Sequence, residues 1–452
     1  MQSFENGTIA AAAKVDDAHE LERDVERRTI AKAATRLIPL IMLCYFTAYL
    51  DRTNAGIAAL QMNKDIGLTA SMFGFGSGLF FLLYFTMEVP SNLLMVRYGV
   101  RRWVARIMFT WGLVAGAMAF VKGPIGFYAI RALLGAAEAG FMPAIVYYLG
   151  QWFPAQYRAR VLGALNVAGP VTFLIGAPIS SALLGLDGLW GFRGWQWMFI
   201  VEAVPALILT GVVLKCLPDR PTAAKWLTSE ESAWLTNRLA ADDREIEENV
   251  RHYSVIQAIL SMRVLLLGFV MFNVVVTVYS IGFFLPQIVQ TFGLSDFKAG
   301  LISAIPFIAG SIGIPLIGWR SDIAKERYYH TAVPLLIAAA GLAVAALSPD
   351  LMIKMIAFSA VAFGAYGCVS AFWTLPSTFM SGAAMATGIA VVNSIGALGG
   401  FAGLWIMGLL KDATGTFNGG LYFVAAMDVL AVVALMVHRS LKRTKKIRAL
   451  HQ

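Results

Sequence analysis

The chain has 452 residues, 58% of them apolar and only 14% charged, with a mean hydropathy of +0.68. Soluble domains carry about a quarter charged residues, so this balance excludes an ordinary cytosolic enzyme and points to a polytopic membrane protein. The net charge of +9 is not gathered into one basic stripe; Lys and Arg mark the ends of apolar runs, which argues against a nucleic-acid partner.

Residues 1–36 alternate acids with bases, among them Asp16, Asp17, Glu20 and Glu22 against Arg23, Arg27 and Arg28. They contain no apolar core of the kind a leader peptide needs, so a polar cytoplasmic segment is expected. Apolar runs then recur near 37–57, 71–95, 104–121, 125–149, 160–184 and 195–216, and again near 264–290, 299–318, 331–348, 352–375, 385–410 and 420–438. At about 20 residues per crossing, these are twelve membrane helices. The chain thus reads as a six-helix bundle over 37–216, a polar linker over 217–262, a second six-helix bundle over 263–438 and a basic tail over 439–452. The linker is expected to be solvated and partly helical. Two pseudo-repeated bundles around a midplane cavity make the fold class an all-α membrane protein of twelve transmembrane helices.

Short loops rich in Lys and Arg remain on the cytoplasmic side. One side collects Arg97, Arg101, Arg102 and Arg106, then Arg158 and Arg160, then Arg320, Lys325 and Arg327. The opposite loops hold one basic residue each: Lys64, Lys122, Arg193, Lys298, Lys354 and Lys411. Both termini and the linker are therefore expected in the cytoplasm of a cell whose plasma (inner) membrane holds the protein. Functioning as a monomer is the simplest expectation for such a fold.

No chemistry-bearing motif competes with a transport reading. Gly74, Gly76 and Gly78 lie inside an apolar span, where Gly74 and Gly78 make a small-residue packing face, as do Gly396, Gly400 and Gly403. Cys44, Cys216 and Cys368 are far apart in apolar context, without zinc-site spacing. No cofactor, metal or enzyme activity is expected.

The charges inside the spans are the candidate functional residues. A charge at a helix centre costs about 2.5–3.5 kcal/mol on insertion scales. Yet the first half buries Asp51, Arg52, Glu88, Arg131 and Glu138. Tyr45, Tyr49 and Arg52 share one helix face, Tyr84 and Glu88 another. Arg131 and Glu138 are seven apart, about 10 Å along the axis, so each needs a partner beyond its own helix. An Arg fork suits a carboxylate, so Arg52 and Arg131 point to an anionic substrate. Glu138 is the expected proton carrier, because burial favours a neutral carboxyl. Asp51 adjoins Arg52, which favours its charged form. Glu202 and Asp428 are read as structural or lipid-edge residues. The second half offers neutral groups instead: Asn273, Tyr279, Gln287, Tyr366, Ser370, Trp373 and Asn393. Of these, Tyr366, Ser370 and Trp373 share a face.

Leu50 to Asn54, Arg131 to Pro143, Trp152-Phe153-Pro154, Gly194 to Ile200 and Thr387-Gly388 with Asn393 together resemble the anion:cation symporter branch of the major facilitator superfamily. The stretch Glu88 to Asn92 is similar to the bacterial tartrate, phthalate, nicotinate and hydroxyphenylacetate permeases. The resemblance implies proton-coupled uptake of a small organic acid by alternating access. It implies protonation at Asp51 and Glu138, and substrate or switching roles for Arg52 and Arg131. Tyr49, Tyr84 and Asn393 would line the pocket, with Ser370 and Trp373 closing around the substrate. Glu88, Arg101 and Asp322 are the candidate gating residues. The loop after the second span lacks the family's usual acid, whereas its second-half copy keeps one at Asp322. An anion exchanger, or a non-transporting ligand sensor, stays open as an alternative.

Overall fold

A computed structural model describes residues 2–248, 261–380 and 382–450, and side chains from Glu20 onward with local exceptions. The linker segment 249–260, with its Arg251, lies outside the described residues, as do the side chains of the basic tail beyond Leu441.

The first bundle comprises α1 (Gln2–Asp65), α2 (Ala70–Tyr98), α3 (Val100–Ala117), α4 (Pro124–Glu138), α5 (Phe141–Gly150), α6 (Ala155–Leu184) and α7 (Gly194–Cys216). The linker contributes α8 (Ser229–Glu248). The second bundle comprises α9 (Met262–Gln290), α10 (Asp296–Ser303), α11 (Ile305–Ala324), α12 (Tyr328–Leu347), α13 (Leu351–Phe372), α14 (Gly382–Thr414) and α15 (Asn418–Leu450). Among the described residues, twelve stretches are long and apolar enough to cross a membrane, as the hydropathy pattern requires.

Two expected spans are broken. The fourth divides into α4 and α5 at Ala139 and Gly140, the latter at φ 85°, a conformation that suits only glycine well. The Ala139 carbonyl freed by the break accepts from Ser91 Oγ at 2.7 Å. The break leaves Glu138 as the last residue of α4. The eighth divides at Ala304 into α10 and α11, where Pro306 opens the second piece.

The linker is less free than its composition suggests. Lys32 Nζ meets Glu231 at 2.7 Å, and the Asp242 carboxylate accepts the Ala155 amide at 2.7 Å at the start of α6. Trp226 stacks on Trp152 with centroids 5.4 Å apart. The helical residues before Arg36 join the same layer, where Tyr157 donates to Glu26 at 3.0 Å. Polar composition described the outer face; the contacts of the partly buried Trp226 and the caps decided the docking.

The bundles join along α2 with α14, α1 with α9, and α6 with α10 and α11. A Cβ at Gly74 would lie 2.1 Å from the Leu404 carbonyl oxygen, and one at Gly408 2.2 Å from that of Ala70, so backbone meets backbone there. Among the described residues, hydrogen bonds between the bundles join Arg52 to Tyr279 and gather at the end away from the arginine-rich loops. At that far end Gln61 donates to Asp296 at 2.9 Å, Asn63 to Gln287 at 3.4 Å, and the Ala70 and Ser71 amides to Asp412 at 3.1 and 2.8 Å. Toward the arginine-rich end of α2, Leu93 is 69% and Val96 67% exposed. Among the described residues, these contacts seal the end away from the arginine-rich loops.

Candidate substrate and coupling site

Arg52 of α1 donates through Nη2 to Glu138 Oε1, and through Nη1 to the Tyr279 hydroxyl of α9 at 3.3 Å. Its guanidinium carbon lies 5.2 Å from the Tyr49 ring centroid, 5.1 Å from Phe80 and 5.3 Å from Tyr84. Four aromatic groups on three helices therefore hold one cation, and a guanidinium on an aromatic face is favoured when water is scarce. Tyr45 packs on Tyr49 at 4.8 Å, extending the aromatic face along α1 as its spacing requires.

Arg131 is wholly buried. Its Nη2 donates to the Ser77 carbonyl at 3.4 Å, while Nε and Nη1 find no protein acceptor. Phe80 and Phe283 lie 5.2 and 5.7 Å from its guanidinium carbon. Glu138, also wholly buried, keeps Oε2 without a partner. A buried cation without an anion is costly, so this is a site chemically suited to receive an anion.

Asp51 turns the other way. Adjacent helix positions do not share a face, so its carboxylate enters the first bundle and accepts Trp111 Nε1 at 2.8 Å. Glu88 is partly buried and within electrostatic reach of Arg52. Arg101 pairs with Asp219 at 3.0 Å. The acid missing from its own loop thus arrives from the start of the linker. Asp322 pairs with Arg327 at 2.6 Å, within the second-half copy of that loop.

The structure does not join the remaining candidates to the Arg52 cluster by hydrogen bond or ring contact. Asn393 is exposed on α14, the Ser370 hydroxyl is donated to the Gly367 carbonyl at 3.0 Å, and Trp373 packs edge-on against Phe372. Tyr279 is the second-half residue that reaches Arg52, though nothing in its spacing separated it from the other polar residues. Trp111 had a usable signal, since a buried indole N–H seeks an acceptor. Glu202 and Asp428 are not at the lipid edge: Glu202 is 2% exposed and accepts from Asn54 and Ser180, and Asp428 is fully buried and accepts from Thr277.

Among proteins of known sequence, the chain is 45% identical to an Agrobacterium vitis protein provisionally named a tartrate transporter, over 95% of each chain. It is 38% identical to a quinolone resistance transporter of Acinetobacter baumannii, over 93% of this chain and 98% of that one. Its fold is similar to the inward-facing, occupied crystal structure of a bacterial homolog to the human lysosomal transporter Spinster, with a TM-score of 0.73 at 16% identity over 90% of this chain and 97% of that one. The Major Facilitator Superfamily matches residues 41–404. With these matches and twelve membrane-length helices in two bundles, the chain belongs to the Major Facilitator Superfamily and is a multi-pass membrane transporter, not an enzyme.

Proposed function

We propose that the protein takes up a small organic anion together with a proton by alternating access across a bacterial inner membrane. The observation that carries the reading is Arg131, wholly buried with two guanidinium nitrogens unpaired, beside the Arg52–Glu138 ion pair. The name of the Agrobacterium vitis relative supports a compact carboxylate such as tartrate as the substrate class. The arginine-rich short loops support a topology with both termini inside and the sealed end at Asp412 outside. Arg52, Arg131 and Glu138 all come from one chain, which supports action as a monomer.

In this mechanism the arrangement sealed at the far end faces the cytoplasm. When the bundles rock and the site faces outward, Glu138 takes a proton and loses its charge. Arg52 is then released from its ion pair, and both arginines are free to hold a carboxylate by forked hydrogen bonds. Tyr49, Tyr84 and Tyr279 flank the bound anion; Asn393, Ser370 and Trp373 meet it on closure. Inward opening lets proton and anion leave, and the Arg52–Glu138 pair re-forms. Asp51, on the far side of α1, takes up a proton alongside Glu138, while Glu88, Arg101 and Asp322 adjust the cytoplasmic opening.

The test uses the full chain in sodium-free proteoliposomes with labelled tartrate, galactonate, nicotinate and phthalate under an inward proton gradient. The expected result is accumulation that a protonophore collapses. The Glu138→Gln variant is expected to retain counterflow and lose accumulation. Unchanged accumulation by that variant overturns its role. Uptake only against preloaded anion, indifferent to pH, identifies an exchanger.

A further inference from the structure

The second bundle buries a carboxylate that the anion site does not use. Asp428 of α15 is fully buried, and among the described residues it is paired with no Lys, Arg or His. Its Oδ1 accepts the Thr277 hydroxyl of α9 at 2.8 Å, and its Oδ2 has no hydrogen-bond partner.

Thr277 has two polar neighbours on its own face of α9. Asn273 and Ser280, four residues before it and three after, are buried with it. Asn273 donates Nδ2 to the Phe269 carbonyl at 2.6 Å, which fixes the amide and leaves Oδ1 as an unpartnered acceptor. The Ser280 hydroxyl is also buried without a partner. Unpartnered oxygens of Asp428, Asn273 and Ser280 therefore stand at, or one helical turn from, the Thr277–Asp428 contact.

Hydroxyls in these spans ordinarily bond the carbonyl one turn back: Thr47 to Leu43, Thr172 to Ala168, Ser303 to Ala299 and Ser359 to Met355. Thr277 turns to Asp428 instead. An ionised acceptor accounts for this, because a charge-assisted bond is roughly twice as strong as a neutral one. An ionised carboxylate buried without a cation is costly, so the charge calls for a cation from outside the chain. The donor atoms select its kind. All are oxygens, which suit a hard ion rather than a transition metal. One carboxylate balances a monovalent ion, whereas calcium sites gather several carboxylates and magnesium adds phosphates.

We propose that Asp428, Thr277, Asn273 and Ser280 form a sodium site inside the second bundle. The carboxylate and the Thr277 hydroxyl hold the ion; Asn273 Oδ1 and Ser280 Oγ meet it, or waters of its shell, from one turn to either side. Sodium bound there fastens α9 to α15. Tyr279, two positions beyond Thr277, leaves the opposite side of α9 and reaches Arg52, so the sodium and anion sites lie back to back on one helix. The ion is not the coupling ion of the cycle above, and the site does not rest on that cycle.

The experiment uses the purified full-length protein in choline buffer and follows binding of radioactive sodium. Thermal unfolding is recorded beside it in sodium chloride and in choline chloride at equal ionic strength. The wild type is expected to bind sodium saturably and to unfold at a higher temperature in sodium than in choline. Asp428→Asn preserves the shape and removes the charge, and is expected to lose both effects. Thr277→Val is expected to bind sodium about 10-fold more weakly, and Glu138→Gln as well as the wild type. No saturable binding by the wild type overturns the site, as does binding that Asp428→Asn retains or Glu138→Gln abolishes. Equal stabilisation by choline is a general salt effect and overturns it too. Where Asp428→Asn does not fold, Thr277→Val and Ser280→Ala are read in its place, and an affinity unchanged in both overturns the site.

Discussion

Arg52 and Glu138 stand 86 positions apart on α1 and α4, yet they meet as a buried ion pair beneath an aromatic cage. The guanidinium serves Glu138 through one nitrogen and Tyr279 through another. A lysine keeps the charge but cannot span both partners or lie flat between Tyr49 and Tyr84. Arg52→Lys is therefore expected to weaken anion binding about 10- to 100-fold, the scale of one hydrogen bond to a charged group at about 1.5–3 kcal/mol. Binding of tartrate to the purified variant checks this, and affinity equal to the wild type refutes it.

The contact of α2 with α14 has no room for a side chain at Gly74. Gly74→Ala forces the two backbones apart at the sealed end, an overpacking strain of about 1–3 kcal/mol. That strain acts on the sealed arrangement and disappears when this end opens. The variant is expected to shift the population toward the opposite state by about 5- to 150-fold. Labelling of cysteines introduced along the far-end faces of α2 and α14 reads the shift as a faster rate.

Asp412 seals the same end by a different contact, accepting the first two amides of α2 where the helix dipole is positive. Asp412→Asn removes the charge and half of the acceptor capacity, at a cost of about 1 kcal/mol. It is expected to open this end more weakly than Gly74→Ala, in the same labelling assay. Equal labelling of variant and wild type would show that the contact holds nothing.

Lys32 and Glu231 tie the segment before α1's membrane portion to the linker helix α8. Burial alone would raise the Glu231 carboxyl, but the Lys32 ammonium and the Thr228 amide outweigh it, so its pKa lies below the ordinary glutamate value. A depressed folded-state pKa contributes stability that is complete above the unfolded value and lost as pH falls through the folded one. Docking is expected to be indifferent to pH across the neutral range and to loosen only in acid below the usual glutamate range. Amide hydrogen exchange over residues 20–36 checks this, with Glu231→Gln giving the loosened pattern at neutral pH.

Composition and hydropathy were enough for the class, the twelve crossings and the arginine-rich loops, because lipid demands long apolar helices whatever their partners. The charges at Asp51, Arg52, Arg131 and Glu138 were equally legible, since an ionisable group in a membrane span is rare enough to mark itself. What they paired with was not legible. The identity of Arg52's partner depended on how α1 and α4 lie against each other and on the helix break at Gly140. Asp219 reached Arg101 from a segment that composition described only as polar. Glu202 could be read only as a structural or a lipid-edge residue, because one-dimensional spacing carries no information on which neighbours surround a helix face. Asn54 and Ser180 meet at that carboxylate only through the packing of α1, α6 and α7. Local hydropathy determined which residues must be buried; the close approach of separate helices, set by shape and small residues, decided which of those buried charges became a pair, a site or a lone cation.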